Sequence, residues 1–227
     1  MFKPSLLGFS LGAAIAVSGL SACSNSAQTP TSAQAPTTTG SPMAGMDHST
    51  MQGMNHGSMT MDLGPADANF DLRFIDAMTP HHQGAVEMAK EAQQKSKRPE
   101  IKKLAADIIK AQDQEIAEMK QWRQAWYPQA GSTPMAYDSK MGHMMPMSSE
   151  QMKGMMMNVD LGAADDQFDL RFINAMIPHH ESAVTMAKEA LNKSKRPEIK
   201  QLAQDIISSQ QAEIAQMQQW RKAWYNQ

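Results

Sequence analysis

The feature that most constrains the fold is an internal duplication: Asp67–Tyr127 and Asp165–Tyr225 align at a constant offset with about 70 % identity. Each copy divides into two helical patterns. In the first copy Phe70, Phe74, Met78, His81, Ala85, Met88 and Ala92 recur at three- and four-residue steps, which is the spacing of one buried helical stripe. A basic turn, Lys95 to Arg98, follows. Pro99 suits a first helical position, and Ile101, Leu104, Ala105, Ile108, Gln112, Glu115, Met119, Trp122 and Trp126 resume the period. Each copy therefore reads as a helical hairpin. One hairpin alone would leave half of each stripe in water, whereas two in one chain can bury all four together. The expected architecture is all-α, a four-helix bundle made of two duplicated hairpins, rather than two separately dimerising modules.

Outside the repeats the chain changes character. Residues 1–22 carry Lys3 and an apolar run from Leu6 to Leu20, too short for a spanning helix, and read as a secretory signal. The run closes on Leu20-Ser21-Ala22-Cys23, which resembles a bacterial lipobox. That resemblance implies cleavage before Cys23, the only cysteine, and acylation of its sulfur as a membrane anchor. The alternative is ordinary cleavage nearby and a free periplasmic or secreted protein. Residues 23–64 and 128–162 are poor in branched aliphatics and rich in Ser, Gly and Met, so they read as a flexible tether and a flexible linker between a first repeat at 65–127 and a second at 163–227. An antiparallel bundle needs only about 2 to 8 residues between neighbouring helices, so the central segment's surplus length asks for another reason.

Those two segments hold much of the chain's chemistry. Methionine makes up 22 of the 227 residues, and in the first segment Met46, Met51, Met54 and Met59 alternate with His48 and His56 among small polar residues. In the second, Met135, Met141, His143, Met144, Met145, Met147, Met152, Met155, Met156 and Met157 crowd together. A thioether is a soft, neutral donor, and together with imidazole it suits copper better than magnesium, calcium or zinc. The plainer alternative is an oxidation sink or a low-complexity spacer.

The remaining histidines form two pairs inside the repeats, His81-His82 and His179-His180, each following a proline, Pro80 or Pro178. Such a proline either opens a continuous helix, by leaving a carbonyl four residues back without its donor, or starts a new one. Met78 lies four residues before His82, and Met88 seven after His81, so these side chains share a helix face. On the second helix Glu115 and Met119 share the apolar stripe. A carboxylate there is costly to desolvate unless a cation, proton or donor meets it, so something positive is expected opposite Glu115. The second copy repeats the set as Met176, His179, His180, Met186, Glu213 and Met217. Two structural alternatives stand beside ligation: Met88 and Met186 as core filler, and each Glu paired with Arg73, Arg171 or a protonated histidine in a network that specifies the bundle.

The segments FDLRFIDAMTPHHQGAVEMAKEA and FDLRFINAMIPHHESAVTMAKEA, continued by RPEIKKLAADIIKAQDQEIAEMKQW and its counterpart, resemble the domain of unknown function 305 family across more than half the chain. The resemblance implies an exported, ferritin-like helical bundle, and the duplicated, methionine-rich form is most similar to periplasmic copper-binding members of the CopM type. The family's Met-x-x-His-His falls on Met78, His81 and His82 and on Met176, His179 and His180. Its Glu-x-x-x-Met falls on Glu115 with Met119 and on Glu213 with Met217.

A net charge of -2 and a pI near 6.4 argue against a nucleic-acid partner. A di-iron oxidase would need several inward carboxylates and Glu-x-x-His on two helices, and the sequence lacks that motif; position 87 is Glu in one copy, but its counterpart is Thr185. No enzyme is expected. The reading is an exported copper-binding protein that sequesters or transfers Cu(I), and Cu(II) at the bundle sites, with silver as a mimic. It would be held at the bacterial envelope by its lipid and would exchange copper with an efflux or sensor protein. The alternatives are an interaction module with an adaptable methionine surface and a metal-dependent oxidase.

Overall fold

The computed structural model describes residues 62–227. The signal, Cys23 and the ligands Met46, His48, Met51, Met54, His56 and Met59 lie outside the described residues. Among those described, four long helices dominate: α1 (Phe70–Lys95), α2 (Pro99–Trp126), α4 (Phe168–Lys193) and α5 (Pro197–Tyr225). Pro99 and Pro197 open their helices, where a missing N–H costs nothing. Pro80 and Pro178 lie inside continuous helices, so of the two readings of these prolines the interior one holds.

Each copy is the expected hairpin, α1 with α2 and α4 with α5, and the two meet through α1 against α4. The apolar interior divides into two clusters, each built from both copies. One joins Phe70, Phe74 and Met78 of α1 to Met186 and Ala190 of α4, with Met119 of α2 and Ile199, Leu202 and Ile206 of α5. The other joins Phe168, Phe172 and Met176 of α4 to Met88 and Ala92 of α1, with Met217 of α5 and Ile101, Leu104 and Ile108 of α2. The N-terminal half of each histidine helix thus packs on the C-terminal half of the other, so α1 and α4 run antiparallel and are related by an approximate two-fold.

The contacts across that axis come in pairs. Lys95 Nζ donates to the Gly162 carbonyl (2.7 Å) and Lys193 Nζ to that of Gly64 (3.0 Å). Arg98 pairs with Asp169 (3.5 Å) and Arg196 with Asp71 (3.4 Å). Each of these guanidinium groups also lies 4.1 Å from a ring of the opposite copy, Trp224 or Trp126, which is itself stacked on a second tryptophan. The tryptophans pack against the two clusters as the stripe predicts, but half-buried at their edges, where Trp126 and Trp224 also meet these guanidinium groups.

The central segment departs from the flexible linker that its composition suggested. It forms a two-stranded antiparallel hairpin, β1 (Met135–Asp138) and β2 (His143–Pro146), and a short helix α3 (Ser149–Met156), docked on α1. Two devices order it. Ser148 and Gln151 form a reciprocal capping box that satisfies the first turn of α3. Buried Asp76 pairs with Arg123, which also donates to the carbonyls of Gly131 (2.6 Å) and Thr133 (3.1 Å), while Asp76 Oδ2 accepts from the Met135 N–H (2.8 Å). Burial raises the Asp76 carboxyl above its ordinary range, against the opposing pull of Arg123. Ala136, Met147 and Met155 are buried in the cluster that holds Met78, so the segment adds apolar area that offsets its ordering entropy.

Candidate metal centre

Between the two apolar clusters lies a polar layer. His81, His82, His179 and His180 are all at most 1 % exposed. The His81 and His179 rings meet across the axis, with centroids 3.8 Å apart and planes tilted by 56°. His82 and His180 lie 6.4 and 6.3 Å from their sequence neighbours, on the outer sides of that pair.

Each outer histidine has the same partner. His82 Nε2–H donates to Glu115 Oε2 at 2.7 Å and His180 Nε2–H to Glu213 Oε2 at 2.6 Å. The positive or donor group expected opposite Glu115 is therefore His82, and neither Glu pairs with arginine. Arg73 donates instead to the carbonyls of Leu63 and Pro65 and pairs with Asp67, and Arg171 does the same with Leu161, Ala163 and Asp165. With Nε2 engaged by carboxylate, the Nδ1 atoms of His82 and His180 are both buried without a partner among the described residues. This is the arrangement in which a second partner fixes the tautomer and leaves one nitrogen to bind.

The inner pair differs. His179 Nε2–H donates to the Met156 carbonyl at 3.0 Å, whereas neither ring nitrogen of His81 has a partner among the described residues. Burial is the main force pushing both rings below the ordinary imidazole value, His179 to about 3, and the neighbouring imidazoles add to it. Both rings are thus neutral at physiological pH and retain lone pairs.

Thioethers flank this layer, three from the repeats in each apolar cluster, joined in the first by Met147 and Met155 of the central segment. Met78, Met119 and Met186 lie in one apolar cluster and Met88, Met176 and Met217 in the other, each at most 1 % exposed. Helical spacing sets Met78 one turn before His82 and Met119 one turn after Glu115, and Thr79 Oγ1 lies 3.9 Å from Met119 Sδ. Sequence spacing grouped Met88 with its own copy. The fold delivers it to the second copy's set and sends Met186 to the first.

No group of three His, Cys, Asp or Glu side chains among the described residues forms a metal cage. An ion held in this interior by three or more side chains would include thioethers, which are neutral and soft. The ligands expected from the linker stand apart. Met141, His143 and Met145 are exposed on the β-hairpin and Met144 is half-buried, none of them in the interior clusters. His143 pairs with Asp138 across the hairpin register and its Nδ1 lies 3.2 Å from the Met141 carbonyl. Sequence reading missed the Met156 carbonyl that holds His179, and the available signal was Ser148-x-x-Gln151 marking a helix start.

Among solved structures the chain is similar to CopM. It is 45 % identical to the Cu(II)-bound form, with a TM-score of 0.55 over 68 % of this chain and 97 % of that one. For the Cu(I)-bound form the values are 43 % and 0.53, and for an Ag-bound form 42 % and 0.54, with the same coverage. Among curated sequences, 49 residues are 57 % identical to the uncharacterized protein L153 of Acanthamoeba polyphaga mimivirus, so the match spans 22 % of this chain and only 32 % of that relative. A family model described as a domain of unknown function, DUF305, matches residues 17–123 and 71–221, and the chain belongs to the DUF305 family.

Proposed function

We propose that this protein binds copper, chiefly as Cu(I), and sequesters or passes it on in the bacterial envelope, contributing to copper resistance. The observation that carries the reading is the burial of six thioethers of the repeats, three in each cluster, beside four buried histidines whose outer members each have an Nδ1 without a partner among the described residues. Such a site offers soft neutral donors in a dry interior, which favours a monovalent soft cation over a hard divalent one. The similarity to CopM structures holding Cu(I), Cu(II) and Ag supports the same choice of metals.

On this reading the exposed methionines of the hairpin and those between Met46 and Met59 capture the ion through several weak contacts, and their closeness on one chain raises effective concentration. The interior sites hold it more firmly, with imidazole as the additional ligand. The role is binding rather than catalysis. The lipobox-like Leu20–Cys23 segment places the protein at a membrane surface through acylated Cys23, facing the compartment where copper is exchanged with an efflux or sensor protein.

The test is an anaerobic Cu(I) titration against a competing chelator. It compares the full chain with a version beginning at Asp62, which keeps the carbonyls that satisfy Arg73 and Lys193, and in which Met141, Met144 and Met145 are replaced. Competition by both assigns tight binding to the bundle, and competition by the full chain alone assigns it to the Met-rich segments. Failure of both overturns the copper reading.

A further inference from the structure

The six thioethers of the repeats and the four histidines beside them are at most 1 % exposed, so an ion that reaches them has to leave water somewhere on the surface. Taking a bare cation out of water is costly unless charged or polar groups meet it on the way. Glu115 is placed to do so. Its Oε2 accepts from the buried His82 ring, while the side chain is 15 % exposed and lines a surface groove between α2 and α5.

The groove is acidic without compensation. Glu118 of α2 and Glu198 and Asp205 of α5 line it together with Glu115, and no lysine or arginine does. Glu118 accepts from the Gln114 amide at 3.0 Å and Asp205 from that of Gln201 at 3.0 Å, so both carboxylates are held by neutral donors that leave their charge in place. Inward of this rim lie two buried polar atoms without a partner among the described residues. They are Nδ1 of His82, the ring bonded to Glu115, and Oε1 of Gln112, one turn before Glu115 on the same helix. Both residues are at most 3 % exposed. Carboxylates at an entrance, with unmatched polar atoms behind the last of them, fit a cation.

The 98-residue offset between the repeats gives the counterpart surface beside Glu213, and the two are not alike. There Gln216 stands in place of Glu118 and Lys103 in place of Gln201. Lys103 pairs with Asp107, the counterpart of Asp205, at 2.5 Å. Four carboxylates without a cation on one side thus correspond to Glu213, Glu100 and Asp107 with a lysine on the other.

We propose that copper enters the interior through the α2–α5 groove, drawn by Glu118, Glu198 and Asp205 to Glu115, and that the site at Met78 and Met119 therefore fills faster than its counterpart at Met176 and Met217. From Glu115 an ion is one helical turn from Met119 and one hydrogen bond from His82. The route rests on the copper function proposed above and adds to it an order of filling. Clefts lined by one sign of charge raise on-rates by about 10- to 1,000-fold, and the gain falls with ionic strength.

The test times anaerobic Cu(I) transfer from a coloured chelator held in excess at low ionic strength, so that rate and end point come from one trace. Full chains with Met176→Leu and Met217→Leu keep the first site, and those with Met78→Leu and Met119→Leu keep the second. The first is expected to load at least about five-fold faster. Adding Glu118→Gln and Asp205→Asn should slow it by about the same factor with an unchanged end point, whereas Glu150→Gln with Asp166→Asn, which removes equal charge outside the groove, should not. In the otherwise unaltered chain the groove pair should slow only the faster of two phases. Lys103→Gln with Gln216→Glu should speed loading of the second site. All these differences should shrink in about 1 M salt, where the Debye length is about 3 Å. Equal rates throughout, with intact end points, would overturn the route and leave copper binding standing. No transfer to any chain, the unaltered one included, would overturn the copper function and the route with it.

Discussion

At the scale of single residues the pairs between half-buried glutamate and buried histidine decide most. Glu115 and Glu213 were conspicuous in the sequence because each stands on a stripe of Ile, Leu and Trp, and desolvation alone required a partner. The sequence could not choose among Arg73, Arg171 and histidine, because that choice depends on where the start of α1 sends its guanidinium, and Arg73 is taken by carbonyls of the preceding loop. Glu115→Ala would strand the His82 Nε2–H in the interior, and is expected to lower the stability of the metal-free protein by about 1–3 kcal/mol in urea unfolding. Glu115→Gln, which keeps an acceptor, should cost distinctly less. The inner pair governs pH dependence. His81 and His179 have folded pKa values below the unfolded value of about 6.5, so below that pH the unfolded chain takes up protons that the folded core refuses. Their contribution to stability is complete above pH 6.5 and is lost as pH falls, over a range extending to about 3 for His179. Between pH 6.5 and 5 each ring should contribute a slope of at most about 1.4 kcal/mol per pH unit. Replacing both by glutamine should flatten that slope in the same measurement.

At the scale of elements, the four helices were legible because a stripe of period 3.6 twenty-six or more residues long has few other interpretations. The central segment was less so, because its composition is that of a spacer: Ser148-x-x-Gln151 marks the start of α3 locally, but the order of the hairpin comes from tertiary contacts. Asp76 shows why: its counterpart is Asn174, a difference that looks minor in an alignment of the repeats yet removes the charge that holds Arg123 and the hairpin backbone. Asp76→Asn is therefore expected to loosen β1 and cost about 2 kcal/mol, with faster amide exchange across residues 131–146 as the check. Gly84 is the second such point. Gly84→Ala places a methyl where the Met156 carbonyl now sits, so α3 must retreat. A loss of about 1–3 kcal/mol is expected, together with increased exchange in α3, read by calorimetry and hydrogen exchange on the same sample.

At the scale of the whole molecule, duplication turned a hairpin with one wet face into a closed bundle, and the antiparallel meeting of α1 and α4 mixed the two copies' ligands. Repeat arithmetic found the ligand types but paired them by copy. The crossing pairs them by end, since Met186 reaches the cluster of Met78 and Met119. If these clusters are where the ion is held, the molecule carries two related interior sites that can be removed one at a time. Met78→Leu with Met119→Leu should abolish one of the two tight Cu(I) equivalents in the chelator competition, and Met176→Leu with Met217→Leu the other. Combining the four should leave only the weaker sites of the Met-rich segments. Leucine for methionine nearly conserves volume, so each pair should cost little in the metal-free fold, below about 1.5 kcal/mol per substitution. Lost binding could then not be ascribed to lost structure. A ligand that binds only the folded state stabilises it in proportion to the logarithm of one plus the ratio of free ligand concentration to Kd, so the stabilisation by Ag(I) should shrink with each pair and nearly vanish with all four. An undiminished titration in the four-fold variant would mean that these buried thioethers only fill the core, and that the exposed methionines of the hairpin and tether carry the metal alone.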